Sequence, residues 1–307
     1  MIRRALTAIL VGLMVLCAGF GPASAQDRLT LGWGRLFNND LLGDLQDRWQ
    51  SGSYNVSLLR GPHWTGVLPD QLGALMEYRF SGAVQSPANL ENPAPDDRRY
   101  AGPLTPGLHS HVTWAGMQAS LGADLVVTGP QTGIGRFQSW LHGLLGVPKP
   151  DLTNQMGNGF YPTFQAELGR EVQIAPLVAV HPFLAAQAGV ENLVGAGGDV
   201  VIGNFGQGGF LLRDDVTGQR YRGIAGPSDG SAMSLTLGGD IAHVFGSDYL
   251  PQGSAAAASD TRGRLRAGLV WQGGQSSAFY GVTYLTPEFD SQPAGQVVGS
   301  VNLDFRF

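Results

Sequence analysis

Apolar and polar residues alternate along much of this chain. Between residues 72 and 80, Met76, Tyr78 and Phe80 share one side, while Glu77 and Arg79 lie on the other. The same alternation recurs in later segments, at 108–114, 264–271, 278–284 and 301–307. Because successive side chains of a β-strand point to opposite faces, this period of two predicts strands. Each predicted strand has one aliphatic and aromatic face and one polar face.

These strands indicate a barrel that crosses a membrane. About a dozen fit the chain, separated by loops rich in Pro, Gly, Asn and Ser, such as 84–97, 147–159 and 251–260. A lipid exterior and a wet lumen require two-faced strands, whereas a soluble sandwich buries its apolar face. The terminal Phe307 is typical of bacterial outer-membrane barrels. The predicted fold class is all-β: an antiparallel transmembrane β-barrel of about 12 strands.

One segment, 132–146, has helical spacing instead. Its apolar residues fall on one arc when successive residues are placed about 100° apart: Ile134, Phe137, Leu141, Leu144 and Leu145. Gln138 and His142 are four residues apart, so they stack at the edge of that arc. The spacing predicts a short helix that covers or plugs part of the barrel, with a polar edge available for chemistry.

The N-terminal residues 1–25 are predicted to be a cleaved signal peptide. Arg3 and Arg4 give the positive start, residues 5–20 are apolar, and Ala-Ser-Ala at 23–25 provides the cleavage site. The alternative is an uncleaved anchor helix, for which the apolar stretch is short. Cleavage leaves one barrel domain, residues 26–307. It also removes Cys17, the one cysteine, so the mature chain has neither a disulfide nor a thiol nucleophile.

The amino-acid composition argues against several other classes of protein. Only 14% of the residues are charged and 46 are glycine, while the mean hydropathy is −0.01. A helical membrane protein would show several apolar runs of about 20 residues, and none follows the signal segment. The formal net charge of −5 disfavours nucleic acid as a partner. A barrel with one face in lipid and one in water accounts for this average.

A few polar residues are candidates for chemistry. His142 is a candidate general base, and the alternative is a solvated histidine on a surface helix. Asn39 and Asp40 offer the hard oxygen ligands that suit calcium, or they belong to an ordinary turn. Ser51 lies in a polar strand start, where serine is usually part of a turn.

Other catalytic patterns are weak or missing. His109 and His111 alternate onto one face of a predicted strand. Two histidines alone are a weak metal signal, and the alternative is a pair of polar residues that face the lumen. G-x-S-x-G occurs once, at 226–230, but a lipase-type elbow needs a helix directly after the serine, and the predicted helix lies elsewhere, at 132–146; a lipase-type serine hydrolase therefore has no support.

In chain order the candidate residues form a series with other short motifs: Asn39-Asp40, Asp47-Arg48, Ser51, Asp97-Arg98-Arg99-Tyr100-Ala101-Gly102, Gly129-Pro130, Gln138-x-x-x-His142, Gly146, Asn154-Gln155-x-x-Asn158, Thr286-x-Glu288-Phe289 and the terminal phenylalanine. The series resembles the outer-membrane lipid A 3′-O-deacylase family. The resemblance spans nearly the whole mature chain, and its most specific part is the glutamine–histidine pair in the helical segment.

The resemblance implies a twelve-stranded barrel in a Gram-negative outer membrane, with the active site between the wall and a short helix. It implies calcium-dependent hydrolysis of the 3′-acyloxyacyl ester of lipid A, and therefore lipopolysaccharide and outer-membrane lipid as partners. His142 would activate a water molecule, and Asn39 and Asp40 would hold Ca²⁺ or orient the histidine. Ser51 would supply a hydroxyl where the family usually has threonine, and Gln138 would position the substrate or the base.

The chain departs from the family pattern at two acidic positions and one basic position. Pro148 and Gly159 stand where acids are usual, and residues 81–96 contain no lysine. Lost acids weaken metal binding, and a lost cation weakens contact with a phosphate. Two alternatives to the esterase follow from the sequence: a catalytically degenerate barrel that binds lipopolysaccharide, and a passive pore.

Overall fold

A computed structural model describes residues 28–227, 231–273 and 276–304 of the chain. The predicted signal peptide 1–25, Cys17 and the terminal Phe307 lie outside the described residues.

Strands make up most of the described chain. Their bounds are β1 (Leu29–Asn39), β2 (Trp49–Gly61), β3 (Leu75–Ser86), β4 (Leu104–Trp114), β5 (Met117–Thr128), β6 (Gly159–Gly169), β7 (Val172–Ala175), β8 (Val178–Ala188), β9 (Glu191–Ile202), β10 (Phe210–Arg213), β11 (Arg220–Ile224), β12 (Ser231–Ser247), β13 (Thr261–Gly273), β14 (Ser276–Leu285) and β15 (Gln296–Asp304).

Twelve of these strands close into an antiparallel barrel. Strands β1 to β6 pair in sequence, β6 pairs with β8, β8 with β9 and β9 with β12. Strands β12 to β15 again pair in sequence, and β15 returns to β1. The short β7 follows β6 and pairs with the first residues of β8. The pairing of β15 with β1 joins Phe37–Asn39 of β1 to residues 299–301 of β15 and closes the sheet on itself, so the predicted barrel of about 12 strands is confirmed.

The two faces of the strands follow the alternation in the sequence. In β3, Tyr78 and Phe80 are exposed on the outside, while Glu77 and Arg79 are buried toward the lumen. In β13, Leu265 and Leu269 point outward and Arg266 inward. Charged side chains in the lumen form ion pairs with one another, because an unpaired buried charge is costly in free energy. Arg79, for example, contacts Glu77 at 2.8 Å.

The loop between β9 and β12 folds back as a hairpin, β10–β11, that fills part of the lumen. Leu212 and Tyr221 pack over the inward face of β1, where Gly34 leaves the room: a Cβ there would lie 2.7 Å from Leu212. Asp214, at the hairpin tip, accepts a hydrogen bond from Asn38 of β1 at 3.0 Å. This hairpin was not predicted from the sequence, and it occupies part of the lumen.

The connection from β5 to β6 carries a 3-10 turn, Pro130–Thr132, and a helix, α1 (Ile134–Leu145). Gly133 and Gly146 flank α1 with φ of 76° and 69°, the left-handed conformation that favours glycine at helix ends. The predicted helix over 132–146 is thereby confirmed. Within the described ranges, no helix has the length and apolar character needed to cross a membrane.

Candidate active site

Helix α1 is anchored on the outer wall of the barrel at its first residue, Ile134. Gly82 is on the outward side of β3, and a Cβ built there would lie 3.9 Å from Ile134 Cδ1. At Gly102, just before β4, a Cβ would come within 2.7 Å of Ile134 Cβ. These two glycines therefore let the helix lie directly against the wall.

The polar edge of α1 faces the protein, and most of its apolar arc does not. Gly135, Gln138 and His142 are the buried residues of the helix, whereas Phe137 and Leu144 are 57% and 70% exposed. A surface helix of a water-soluble domain would be turned the other way. The orientation buries the two predicted site residues, Gln138 and His142, between α1 and the rest of the protein, and we call this interface the groove.

His142 is fixed in one tautomer by a backbone carbonyl. Its Nδ1 lies 2.5 Å from the carbonyl oxygen of Pro148. A carbonyl oxygen only accepts hydrogen bonds, so Nδ1 carries the proton and the neutral ring keeps its lone pair on Nε2. The side chain of Gln138 donates toward this Nε2 over 3.4 Å. Pro148 thus orients the histidine through its main chain.

Asp47 is a site residue to which the sequence analysis assigned no role. Its Oδ2 lies 3.5 Å from His142 Nε2. Asp47 comes from the loop between β1 and β2, and this contact is long-range in the sequence. The signal that could have found it was its place in the Asp47-Arg48 motif.

Asn39 and Asp40 form the start of a 3-10 turn, Asp40–Leu42, at the end of β1. The Asn39 amide accepts from the Leu41 nitrogen at 3.0 Å and donates to the Ser51 carbonyl at 2.9 Å. Asp40 is fully buried, and its Oδ2 accepts a hydrogen bond from the Arg48 nitrogen at 2.7 Å. Asn39 therefore shapes the loop that buries Asp40.

The environment of Asp40 fits a bound cation. Burial raises the pKa of Asp40 to about 8, the Arg48 hydrogen bond lowers it, and the Asp47 and Asp44 carboxylates raise it. Its Oδ1 is buried with no hydrogen-bond partner. A cation would satisfy this oxygen and stabilise the charged form. Among the described residues no group of three or more His, Cys, Asp or Glu surrounds a common point, so other ligands would be carbonyls, amides or water.

Ser51 belongs to the wall beside this loop. Its hydroxyl lies 2.5 Å from the hydroxyl of Ser86 on β3, and both residues are buried. No contact between Ser51 and His142 is present among the described residues. The structure brings Gln138 and Asp47 directly to His142, and Asp40 interacts with Asp47 electrostatically.

Residues of two other motifs in the series form a buried network at the same end of the barrel as the site. Arg98 pairs with Glu288 at 2.7 Å, and Gln50, the neighbour of Ser51, donates to the same carboxylate at 2.9 Å. Burial raises the pKa of Glu288, but Arg98 and Arg262 outweigh this and hold it below its usual range. Phe289 packs edge-on against Trp49, with ring centroids 6.5 Å apart.

The two histidines of β4 lie in the lumen. His109 contacts Asp124 and His111 contacts Glu77, each at 2.8 Å. Both histidines line a lumenal cavity of about 310 Å³ that includes none of the groove residues around His142. Each histidine has an acidic strand residue as its partner. This arrangement fits the interpretation of His109 and His111 as polar residues that face the lumen, and it does not fit a metal site.

Known proteins resemble this chain in sequence pattern and in fold. A family model described as "Outer membrane protein LpxR" matches residues 9–307. No curated protein matches the chain. LpxR from Salmonella typhimurium shares its fold, with a TM-score of 0.76 at 19% identity over 90% of this chain and 100% of that chain. The β domain of the Bordetella autotransporter BrkA gives a TM-score of 0.44 at 10% identity, over 90% and 99% of the two chains.

Proposed function

The chain belongs to the LpxR family of outer-membrane proteins, and from this premise we propose that it hydrolyses the 3′-acyloxyacyl ester of lipid A. The observation that carries the proposal is the placement of His142, whose Nδ1 is bonded to the Pro148 carbonyl and whose Nε2 faces Asp47 between α1 and the barrel. A site on the outer wall near the membrane surface would let acyl chains stay in the membrane while the ester reaches the histidine.

His142 is the general base in this proposal. Its Nε2 takes a proton from a water molecule while the water oxygen forms a bond to the ester carbonyl carbon. The imidazolium then returns a proton to the sugar oxygen as the ester C–O bond breaks. The products are a free acyloxyacyl acid and a lipid A that carries a hydroxyl at the 3′ position.

Asp47 and Gln138 position and stabilise the base. The Asp47 carboxylate, 3.5 Å from Nε2, stabilises the positive charge that the ring acquires. Gln138 holds the ring through its amide nitrogen, and its Oε1 is buried with no partner. That free oxygen is available to a donor on the substrate.

Calcium would be held by Asp40, with Asp47 and Asn39 contributing oxygen atoms. When bound, it supplies a Lewis acid for the oxyanion of the tetrahedral intermediate. The protein's own contribution is the unsatisfied Oδ1 of Asp40, kept buried by the Asn39 turn. Ser51 keeps the wall of the site in place through its contact with Ser86.

The test is the mass of lipid A in membranes that contain the wild type or a His142→Ala variant, with calcium present. The wild type is expected to give lipid A lighter by one 3′ acyloxyacyl group, and the variant to leave lipid A intact. His63→Ala is the matched control, because His63 is an exposed histidine in the loop between β2 and β3, away from the groove. Heat-dependent mobility in a gel confirms that each barrel is folded.

An unchanged lipid A mass with folded wild type and calcium would overturn the proposal. In that case the degenerate barrel that only binds lipopolysaccharide becomes the better account. Removal of an acyl chain from another position would retain the esterase and refute the assignment to the 3′ ester.

A further inference from the structure

The side of α1 that points away from the barrel combines large apolar side chains with cations. Phe137, Trp140 and Leu144 are between 57% and 70% exposed, and the rings of Phe137 and Trp140 lie 5.8 Å apart. At about 100° per residue these three side chains share one arc of the helix. Such an arc, left uncovered on a rigid barrel, indicates contact with an apolar medium.

Two cations lie along one border of this arc. Arg136 is one turn before Trp140. Lys149 folds back over Gly143, which lies two turns after Arg136 on the same side of the helix. A Cβ at Gly143 would lie 2.8 Å from Lys149 Cε, so the glycine makes room for the lysine. Neither cation has a hydrogen bond or an ion pair with any described residue, whereas the arginines of the lumen are paired with acids.

The position of α1 places this arc beside the lipid-facing wall. Ile134 lies over Gly82, and Phe80, two residues along β3 on the same outward side, is 50% exposed. Two residues of a strand span about 7 Å. The apolar arc therefore continues the apolar outer surface of the barrel at the end where the site lies.

We propose that this outward face of α1, formed by Phe137, Trp140, Leu144, Arg136 and Lys149, docks into a leaflet of anionic lipid. The aromatic and leucine side chains enter the acyl region, and the two cations bind headgroup phosphates. This is the arrangement of an interfacial amphipathic helix, with cations beside an apolar face. The face is separate from the groove of His142, and its test does not depend on hydrolysis.

The test uses a fluorescent label on a single introduced cysteine, since no other cysteine lies in residues 26–307. Leu144→Cys places the label on the docking face. Asn92→Cys is the matched control, in the exposed polar loop between β3 and β4. Each labelled barrel is reconstituted in vesicles of phosphatidylcholine with phosphatidylglycerol. The label at 144 is expected to be quenched by nitroxides on the acyl chains and protected from aqueous iodide, and the label at 92 to show the reverse.

The cations are tested in the Leu144→Cys background with Arg136→Gln and Lys149→Gln, singly and together. Each cation near an anionic surface contributes about 1 kcal/mol, so each loss is expected to lower the docking equilibrium about fivefold. The effect should disappear in vesicles of phosphatidylcholine alone.

Two results would overturn the proposal. The first is a label at 144 that is as accessible to iodide as the label at 92, in folded protein. The second is equal docking in neutral and anionic vesicles with no effect of the two substitutions, which would leave an apolar contact without recognition of anionic lipid.

Discussion

Gly102 is the residue on which the placement of the site helix depends. A methyl group at this position would lie 2.7 Å from Ile134 Cβ and 2.8 Å from Ile134 Cγ2. The favourable carbon–carbon separation is about 3.5–4.0 Å, so Gly102→Ala requires α1 to move away from the wall by about 1 Å. Overpacking of this kind costs about 1–3 kcal/mol.

The expected consequence is loss of catalysis in a barrel that still folds. Moving α1 moves His142 relative to Asp47 and Asp40, which come from a different loop. A misplacement of about 1 Å lowers the rate of a positioned reaction about 100-fold. The assay is the rate of lipid A deacylation by purified protein, with heat-dependent gel mobility as the measure of folding.

A double-mutant cycle isolates the contact. Ile134→Gly removes the side-chain atoms that clash, so Gly102→Ala should cost little further activity in that background. Gly157→Ala is the control, because a Cβ at Gly157 meets nothing within 4 Å. Full activity of Gly102→Ala, or an equal loss from this substitution with and without the Ile134 side chain, would refute the reasoning.

Three other predictions concern the acids around the site. Asp47→Asn should lower kcat by about 5–1,000-fold, because the imidazolium loses a partner charge worth about 1–4 kcal/mol. Asp151→Asn, an acid of the loop after α1 whose Oδ1 accepts from the Thr153 nitrogen, should leave kcat unchanged. Calcium chelation should abolish deacylation reversibly, and Asp40→Asn should raise the calcium needed for half-maximal activity at least about tenfold; unchanged activity in chelator would exclude the metal. The pKa of Glu288 is lowered by buried arginines, so its stabilisation is present above the ordinary carboxyl pKa and is lost as pH falls through the lowered value. The unfolding temperature measured by gel mobility should fall on acidification in the wild type, and Glu288→Gln should be less stable by about 3–5 kcal/mol at neutral pH with a weaker dependence on acid.

The barrel could be predicted because its solvent differs on the two sides of every strand. Glu77 and Arg79 alternate with Tyr78 and Phe80 for that reason, and the period of two is visible without any tertiary information. The β10–β11 hairpin could not be predicted in this way. Leu212 and Tyr221 pack inside the lumen, and residues that pack there do not recur at a regular spacing in the sequence.

The helix was predictable, but the environment of its apolar face was not. The same spacing of Phe137 and Leu144 fits a helix packed on a core and a helix exposed to lipid. His142 and Gln138 were found through the family resemblance and their four-residue spacing. The contact with Asp47 and the hydrogen bond to the Pro148 carbonyl depend on loop conformation, which the order of residue types does not encode.

The lumenal hairpin has a consequence for assembly. It lies between β9 and β12 in the chain, yet its tip bonds to Asn38 of the first strand, 176 residues away. The strand that receives the hairpin, β1, is also the strand that pairs with β15 at the last seam of the barrel. The hairpin therefore ties the lumen contents to that seam, and docking of the hairpin on β1 before β15 arrives would let the barrel close around a partly filled interior.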